Sequence, residues 1–409
     1  MTAPTLDEGE RVELTVGAVA HGGHCVARHE GQVVFVRHAL PGERVVAEIT
    51  ELHRGYLRAD AVTVLDASPD RVTAPCPYAR PGACGGCDLQ HVAPAAQLAW
   101  KTAVVREQLE RLAGLAPTEV DALALRVDPL PGGPLGWRSR VRYAVDAADR
   151  AGLLKHRSHE VVPIDRCLIA HPAIQELPVL PPSGRRWPEA DAVETIASSD
   201  GDVTVRGVSG GTATFVEGPD EVRERAAGRG WTLPAEAFWQ VHPAAPDTLV
   251  GAVLELLEPR EGESAWDLYG GAGLFAAALA GRVGPAGRVT MVESAPLGVA
   301  AARTSLRDLP QVEVVSARVE TALERRRITG PVDLVVLDPP RSGAGARVVG
   351  SLVGSGARAV AYVACDPAAF ARDVRTFREG GWRLEALRGY DCFPMTQHVE
   401  CVGLLLPPV

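Results

Sequence analysis

The sequence has no apolar run near the ~18 residues that a membrane-spanning helix requires, which excludes a helical membrane protein. Its first residues, MTAPTLDEGERVEL, have neither the basic start nor the apolar stretch of a secretory leader, so a cytoplasmic protein is expected. Lysine is almost missing. Only Lys101 and Lys155 occur, and the other 40 of the 42 basic residues are Arg, a bias that a GC-rich genome explains as readily as a selected chemistry. Internal repeats and heptads are lacking as well. So is a basic surplus: the net charge is −9, which taken whole argues against a nucleic-acid partner. Divided along the chain, residues 1–66 hold −4, residues 67–261 hold −6 and residues 262–409 hold +1. Net charge of this kind describes solubility; any nucleic acid would be recognised by shape, stacking and a few placed guanidiniums.

At roughly 100–200 residues per domain, 409 residues predict two to four domains. A hydrophobic share of 46% and a charged share of 23% are those of a globular protein. The first 66 residues read as a small β-barrel, with strands expected at Val12–Val16, Gln32–Val36, Arg44–Ile49 and Ala59–Val64 between Gly- and Pro-bearing turns. A Pro- and Cys-rich loop follows at Thr73–His91, then a helix expected over Gln97–Leu112. Residues 123–233 read mostly as β, broken by a Pro-rich excursion at Leu177–Pro188. From residue 247 strands and helices alternate: strands at Ser264–Tyr269, Arg288–Glu293, Val312–Ser316, Val332–Leu337 and Ala359–Ala364, helices at Leu274–Ala280 and Leu297–Leu306. That alternation predicts a doubly wound α/β sheet, in which ligands bind beyond the carboxyl ends of the strands.

The residues at those strand ends carry the chemistry. Gly270-Gly271-Ala272-Gly273 follows one strand and opens a helix, and Glu293 ends the next strand, where a carboxylate can accept hydrogen bonds from ribose hydroxyls. Gly271-x-Gly273-x-x-Ala276 fits the relaxed dinucleotide fingerprint too, so NAD and S-adenosylmethionine both remain open at this loop. Asp338-Pro339-Pro340 makes a rigid acidic corner after another strand. Cys365 follows the next, placed equally well for a nucleophile and for an ordinary buried thiol. Glu400 begins a last apolar strand, Glu400–Leu406, as a candidate base. Eight cysteines without a leader suggest thiols, metal ligands or catalysis instead of a disulfide framework. Cys76, Cys84, Cys87 and the distant Cys167 suit tetrahedral zinc or a [4Fe–4S] cluster, and spacing alone favours zinc. In Trp137–Tyr143 a strand would put Arg138, Arg140 and Arg142 on one face and Trp137, Val141 and Tyr143 on the other, an arginine stripe suited to phosphate.

Taken together these segments resemble the bacterial RNA uracil-C5 methyltransferases, in particular the 23S rRNA enzymes with an iron–sulfur cluster. Asp267–Gly273 resembles the family's S-adenosylmethionine loop, and Asp338-Pro339-Pro340-Arg341-Ser342-Gly343 its Asp-Pro-Pro-Arg-x-Gly motif. Tyr362–Pro367 resembles the nucleophile motif, Phe393–Glu400 the base motif, and Phe238-Trp239-Gln240 an upstream Phe-x-Gln. Cys-Gly-Gly-Cys at 84–87 is similar to the cluster motif, although the gap from Cys76 is two residues longer. The resemblance implies a Rossmann-like doubly wound methyltransferase domain (236–409), an N-terminal OB-like β-barrel of the TRAM type (1–66) and a mostly β central domain (67–235). It implies Cys365 as nucleophile and Glu400 as general base. Gln240, Tyr269, Gly271, Gly273, Glu293 and Asp338 would hold S-adenosylmethionine. It reverses the metal preference, with Cys76, Cys84, Cys87 and Cys167 holding [4Fe–4S] and zinc as the lesser occupant. The partner would be RNA, rRNA ahead of tRNA, and the enzyme a monomer. Three rivals stay open: the same chemistry on tRNA, an amino-methyltransferase, and a non-catalytic iron–sulfur RNA-binding protein. Two departures matter: Asp366 and His242 stand where the family has Asn, and a carboxylate beside Cys365 opposes thiolate formation.

Overall fold

The structure is a computed structural model that describes residues 6–182 and 185–408. Its N-terminal sheet has six strands in the order Arg11–Thr15, Arg44–Leu52, Tyr56–Asp66, Gln32–Arg37, His24–His29, Val19–Ala20. Strand alternation builds the core: Val45, Ala47 and Ile49 point inward while Arg44, Val46 and Glu48 between them reach toward solvent. The four expected strands are present. The strand His24–His29 was not anticipated, because two His and an Arg dilute its apolar alternation. Glu43, with no exposed surface, accepts from Arg71 at 2.5 and 2.6 Å and from the amides of Leu40 and Ser68, pinning the chain that leaves the barrel.

The first helix runs from Pro94 to Arg111, starting earlier than periodicity suggested because Pro94 occupies its first turn, where no amide is needed. It is wedged between two cores. Trp100 and Val104 pack with the barrel, and Val105 and Leu109 pack under the C-terminal sheet. A second sheet is antiparallel, in the order Val161–Pro163, Ala151–Leu154, Arg140–Val145, Ala192–Ala197, Val203–Ser209, Thr212–Glu217. The Pro-rich loop contains Ser183 and Gly184, which lie outside the described residues; beside them Trp187 is buried and its Nε1 donates to Val179 O at 3.1 Å, so that side of the excursion is anchored.

The third sheet has eight strands in the order Val312–Ser316, Arg288–Glu293, Ser264–Leu268, Leu334–Leu337, Ala359–Ala364, Glu400–Leu406, Arg383–Asp391, Val127–Pro129. The first five are parallel and Glu400–Leu406 runs antiparallel to them. Helices Ala245–Leu257, Leu274–Val283 and Pro296–Ser305 cover one face; Gly345–Val353, Pro367–Glu379 and the wedged helix cover the other. This is the expected doubly wound arrangement. Two pieces come from outside its own run of sequence: the strand Val127–Pro129 extends its edge, and Trp231 of the hairpin Glu221–Pro234 fills its core. Among the described residues no helix is long and apolar enough to cross a membrane.

Candidate functional site

The strand Ser264–Leu268 pairs in parallel with Arg288–Glu293 on one side and Leu334–Leu337 on the other, so chain order reverses there and a crevice opens at its carboxyl end. Every strand-end residue singled out above lies along that rim. The Glu400 strand enters from the same rim because it is antiparallel. Cys401 pairs with Ala364, which sets Glu400 and Cys365 side by side one step further out, with Asp338 at the end of the next strand inward.

The glycine loop is preformed. Tyr269, Gly271 and Gly273 all adopt left-handed backbone, with φ of 65°, 55° and 92°. Glu293 Oε2 accepts from the Gly271 amide at 2.9 Å, and its Oε1 accepts from the Ser294 and Ala295 amides. Asp267 is fully buried and its Oδ2 accepts from the Ala276 amide at 2.8 Å, holding the helix start against the strand. Its Oδ1 and the Tyr269 hydroxyl are buried with no partner in the protein, which is unused polar capacity beside the crevice. Burial, then the neighbouring carboxylates, pushes the Asp267 carboxyl up to about 7, and burial does the same to Asp338. A side chain at Gly270 would meet Met291 at 2.6 Å, so Met291 fills the room a larger residue would need. Gln240 is half-buried in the connection before helix Ala245–Leu257, next to Phe238, which is 67% exposed.

Cys365 is partly exposed and its thiol is pushed up to about 12, by burial first and then by Glu400 and Asp338. Glu400 is buried, and burial followed by Asp338 raises its carboxyl well above the ordinary range. Asp366 turns out to be only the last of the contributions to Cys365. Its Oδ1 caps the helix Pro367–Glu379 by accepting from the Ala369 amide at 2.7 Å, and its Oδ2 lies 3.3 Å from His21 Nε2 of the barrel. His242 packs flat on Trp137, centroids 5.9 Å apart, with Nδ1 accepting from the Ala244 amide; burial lowers it to about 4, so the ring is neutral.

Sequence reasoning gave no role to Arg341. Its exposed guanidinium, 3.4 Å from His398 Nε2, is the group that draws both the Cys365 thiol and the Glu400 carboxyl downward. The signal was its place after the Asp-Pro-Pro corner. Replacing Arg341 with Gln is expected to slow iodoacetamide alkylation of Cys365 by roughly 3–10-fold at pH 8, read by peptide mass spectrometry.

The loop 391–400 is held from below. Lys101, with no exposed side-chain surface, donates to Asp391 Oδ1 at 2.5 Å and to Phe393 O at 3.1 Å. Gln97 accepts from the Met395 amide, the Leu89 amide donates to Met395 O, and Asp88 accepts from Gln397 while facing Arg37 of the barrel. Lys101→Met strands the Asp391 carboxylate in the interior. It is expected to cost about 3–5 kcal/mol, seen as a lower urea midpoint.

The arginine stripe is divided. Val141 and Tyr143 do face the core, and on the opposite face Arg140 is covered while Arg142 is exposed. Arg140 pairs with buried Glu224 and donates to the carbonyls of Ala235 and Ala237; Arg142 pairs with Glu194 on the adjacent strand; Arg138 precedes the strand and lines the cysteine pocket. Arg140 is thus taken up by the protein itself, whereas the Arg142 side chain stays 56% exposed.

Cys76, Cys84, Cys87 and Cys167 line one small pocket with Arg138 and Arg166, and all four are free thiols. Gly85 allows the turn: a Cβ there would lie 2.4 Å from the His156 nitrogen. The two segments are joined by Tyr78, whose hydroxyl donates to Asp165 Oδ1 at 2.9 Å. The Gly86 amide aims at Cys84 Sγ at 3.4 Å, and the amides of Ala170 and Ile169 at Cys167. Among the described residues no three or more His, Cys, Asp or Glu side chains come together closely enough to hold a metal ion.

Residues 6–62 match the TRAM domain, and residues 216–408 match the family described as tRNA (Uracil-5-)-methyltransferase. A protein of Streptomyces avermitilis, named an uncharacterized RNA methyltransferase, is 51% identical, with 98% of this chain and 99% of that protein covered. A Corynebacterium efficiens protein of the same description is 36% identical over 98% and 96%. Among solved structures, the Pyrococcus abyssi tRNA (uracil-54, C5)-methyltransferase in complex with S-adenosyl-L-homocysteine superposes with a TM-score of 0.70 at 22% identity, covering 96% of this chain and 99% of that one. At that identity the likeness establishes the fold.

Proposed function

Since the chain belongs to this family of TRAM-bearing RNA methyltransferases, we propose that it transfers a methyl group from S-adenosylmethionine to C5 of a uridine in structured RNA, rRNA first, through a covalent bond between Cys365 and C6. The observation that carries this reading is the register that sets Cys365 beside Glu400 at the rim next to the preformed glycine loop.

Uracil C5 is too weakly nucleophilic to take a methyl group unaided. The Cys365 sulfur bonds to C6, and the C5=C6 electron pair moves onto C5 and O4 as an enolate. S-adenosylmethionine supplies the electrophilic methyl group for C5. Glu400 then removes the C5 proton, the C5=C6 bond reforms and the Cys365 thiolate leaves. Burial suits Glu400 to this step, because a carboxyl held above its ordinary range is a better base. Arg341 favours the thiolate of Cys365. Glu293, its oxygens oriented by three amides, would take the ribose hydroxyls of S-adenosylmethionine; Tyr269 would pack on it, Gly271 and Gly273 would admit it closely, and Gln240 and Asp338 would hold the end nearer the base. The uridine leaves its stack to reach a rim site.

The four cysteines would hold a [4Fe–4S] cluster: they line one pocket, amides aim at two of the sulfurs, and two guanidiniums stand beside them. Such a cluster would staple residues 76–87 to Cys167, and no catalytic step passes through it.

The matched family description and the Pyrococcus abyssi structure favour tRNA as a second reading of the substrate. Tritium release from [5-³H]uridine-labelled RNA with S-adenosylmethionine separates the two: release on rRNA and not tRNA supports the first, the reverse supports the second, and none on either refutes uridine C5 chemistry.

A further inference from the structure

On the barrel side of the cysteine loop lies a cavity of about 270 Å³ built from three stretches of chain. Barrel strands supply His24, Arg37 and Arg58; the loop after Cys76 supplies Arg80; the turn Lys155–Ser158 supplies Lys155 and Arg157. Counting all its charged lining residues, five cations face two carboxylates, Glu51 and Asp60. The barrel's own two arginines balance its two carboxylates, so the surplus in the lining comes from Arg80, Lys155 and Arg157 of the two further segments, of which Lys155 also pairs with Glu160 at 2.5 Å outside the lining.

The internal pairs do not use up these groups. Arg37 lies 3.9 Å from Asp60 and 3.4 Å from Asp88; Arg58 lies 3.4 Å and Arg157 3.8 Å from Glu51. Arg37 Nε, His24 Nδ1 and His156 Nε2 are buried and have no hydrogen-bond partner, and Arg58 Nε has only the 3.4 Å ion-pair contact with Glu51. His24 is 5% exposed and Arg37 is 7% exposed. Arg58 Nη1 donates to His24 Nε2 at 3.2 Å, so the neutral His24 ring carries its proton on Nδ1 and offers it as a further donor. Burial first, then the arginines, lowers His24 to about 3 and His156 to about 4, so the charge surplus comes from Arg and Lys alone. The unused capacity is therefore mainly donor and net positive, which calls for a compact anion with several acceptor oxygens. Phe35 lines the cavity, and Tyr56 beside it stacks on His53 at 4.4 Å, giving an aromatic flank for a base next to that anion.

We propose that this cavity is a phosphate-binding site, occupied by a phosphodiester of the RNA strand as it crosses from the barrel toward the catalytic rim. The RNA part of the assignment rests on the function proposed above; the phosphate part does not. It accounts for a barrel with so poor an overall electrostatic footprint: the contact is one enclosed pocket instead of a basic surface.

The test uses full-length protein, Arg58→Gln/Arg157→Gln, and Arg157→Gln alone, since Arg157 is half exposed and its loss leaves the fold intact. Binding of 5′-labelled RNA is followed by fluorescence anisotropy from 50 to 200 mM salt, with S-adenosylmethionine affinity as the control for folding. The double variant should bind RNA at least about 10-fold more weakly. The slope of log affinity against log salt should fall by about 0.7–0.9, the share of one phosphate, with the single variant showing a smaller change. Inorganic phosphate should raise the melting temperature of the wild type and not of the double variant. Phosphate stabilisation with an unchanged RNA slope would keep a phosphate site and overturn its RNA occupant. No phosphate effect and no slope change would overturn both. Tritium release at saturating RNA reports on the methylation reading separately.

Discussion

Replacing Cys365 with Ala is expected to lower methyl transfer to uridine by at least ~10³-fold while S-adenosylmethionine binding stays within about twofold of wild type. The split follows from placement. Cys365 ends the buried strand Ala359–Ala364, whereas the glycine loop and Glu293 belong to the neighbouring strands on the other side of Asp338. Without sulfur at C6 there is no enolate, and no other described group at the rim replaces it; a Ser oxygen is too weak a nucleophile at the same position. Single-turnover transfer with quantified cofactor binding checks both halves. A Cys365→Ala protein that methylates at the wild-type rate contradicts the mechanism.

Glu400→Gln should separate the steps instead of abolishing all of them. The amide keeps the shape of the buried site but cannot take the C5 proton, so tritium release should fall by about 10²–10⁴-fold while an RNA–protein adduct accumulates. The same substitution should speed iodoacetamide alkylation of Cys365, because Glu400 is, after burial, the largest influence holding the thiol at about 12. Faster alkylation with slower turnover is a pairing that mere unfolding would not leave intact. The pH dependence carries the same sign: Cys365 and Glu400 are both raised and both must lose a proton to act, so kcat/KM should climb between pH 6 and 9 without turning down. An unchanged tritium release in Glu400→Gln would require another base.

The rim of the C-terminal sheet was legible in the sequence because parallel strands announce themselves as short apolar runs, and doubly wound sheets put their chemistry in the next residue. Glu293, Asp338 and Cys365 were placed at the rim that way, Glu400 as the start of the last strand, and Tyr269 by the family resemblance. What periodicity could not tell was what covers a face. It placed Arg140 and Arg142 opposite Val141 and Tyr143 correctly, yet Glu224 and the Ala235 and Ala237 carbonyls take up Arg140 on the side that looked free. Contacts between remote segments were equally invisible: Asp88 to Gln397, His21 to Asp366 and Lys101 to Asp391 join stretches hundreds of residues apart. Asp366 opposes the Cys365 thiolate less than its neighbouring position suggested for the same reason, since its carboxylate is held by a helix cap and a barrel histidine. Net charge misled most. Three segments that are unremarkable separately assemble the basic cavity beneath His24 and Arg58.

The central claim is the covalent bond between Cys365 and the pyrimidine, and one measurement addresses it directly. RNA transcribed with 5-fluorouridine carries no C5 proton for Glu400 to remove, so the adduct should stop after methyl transfer and survive denaturation. Wild-type protein incubated with this RNA and S-adenosylmethionine should give a complex stable in SDS, whose cross-linked peptide carries the nucleotide on Cys365. No complex, or a nucleotide on a different cysteine, would contradict the account.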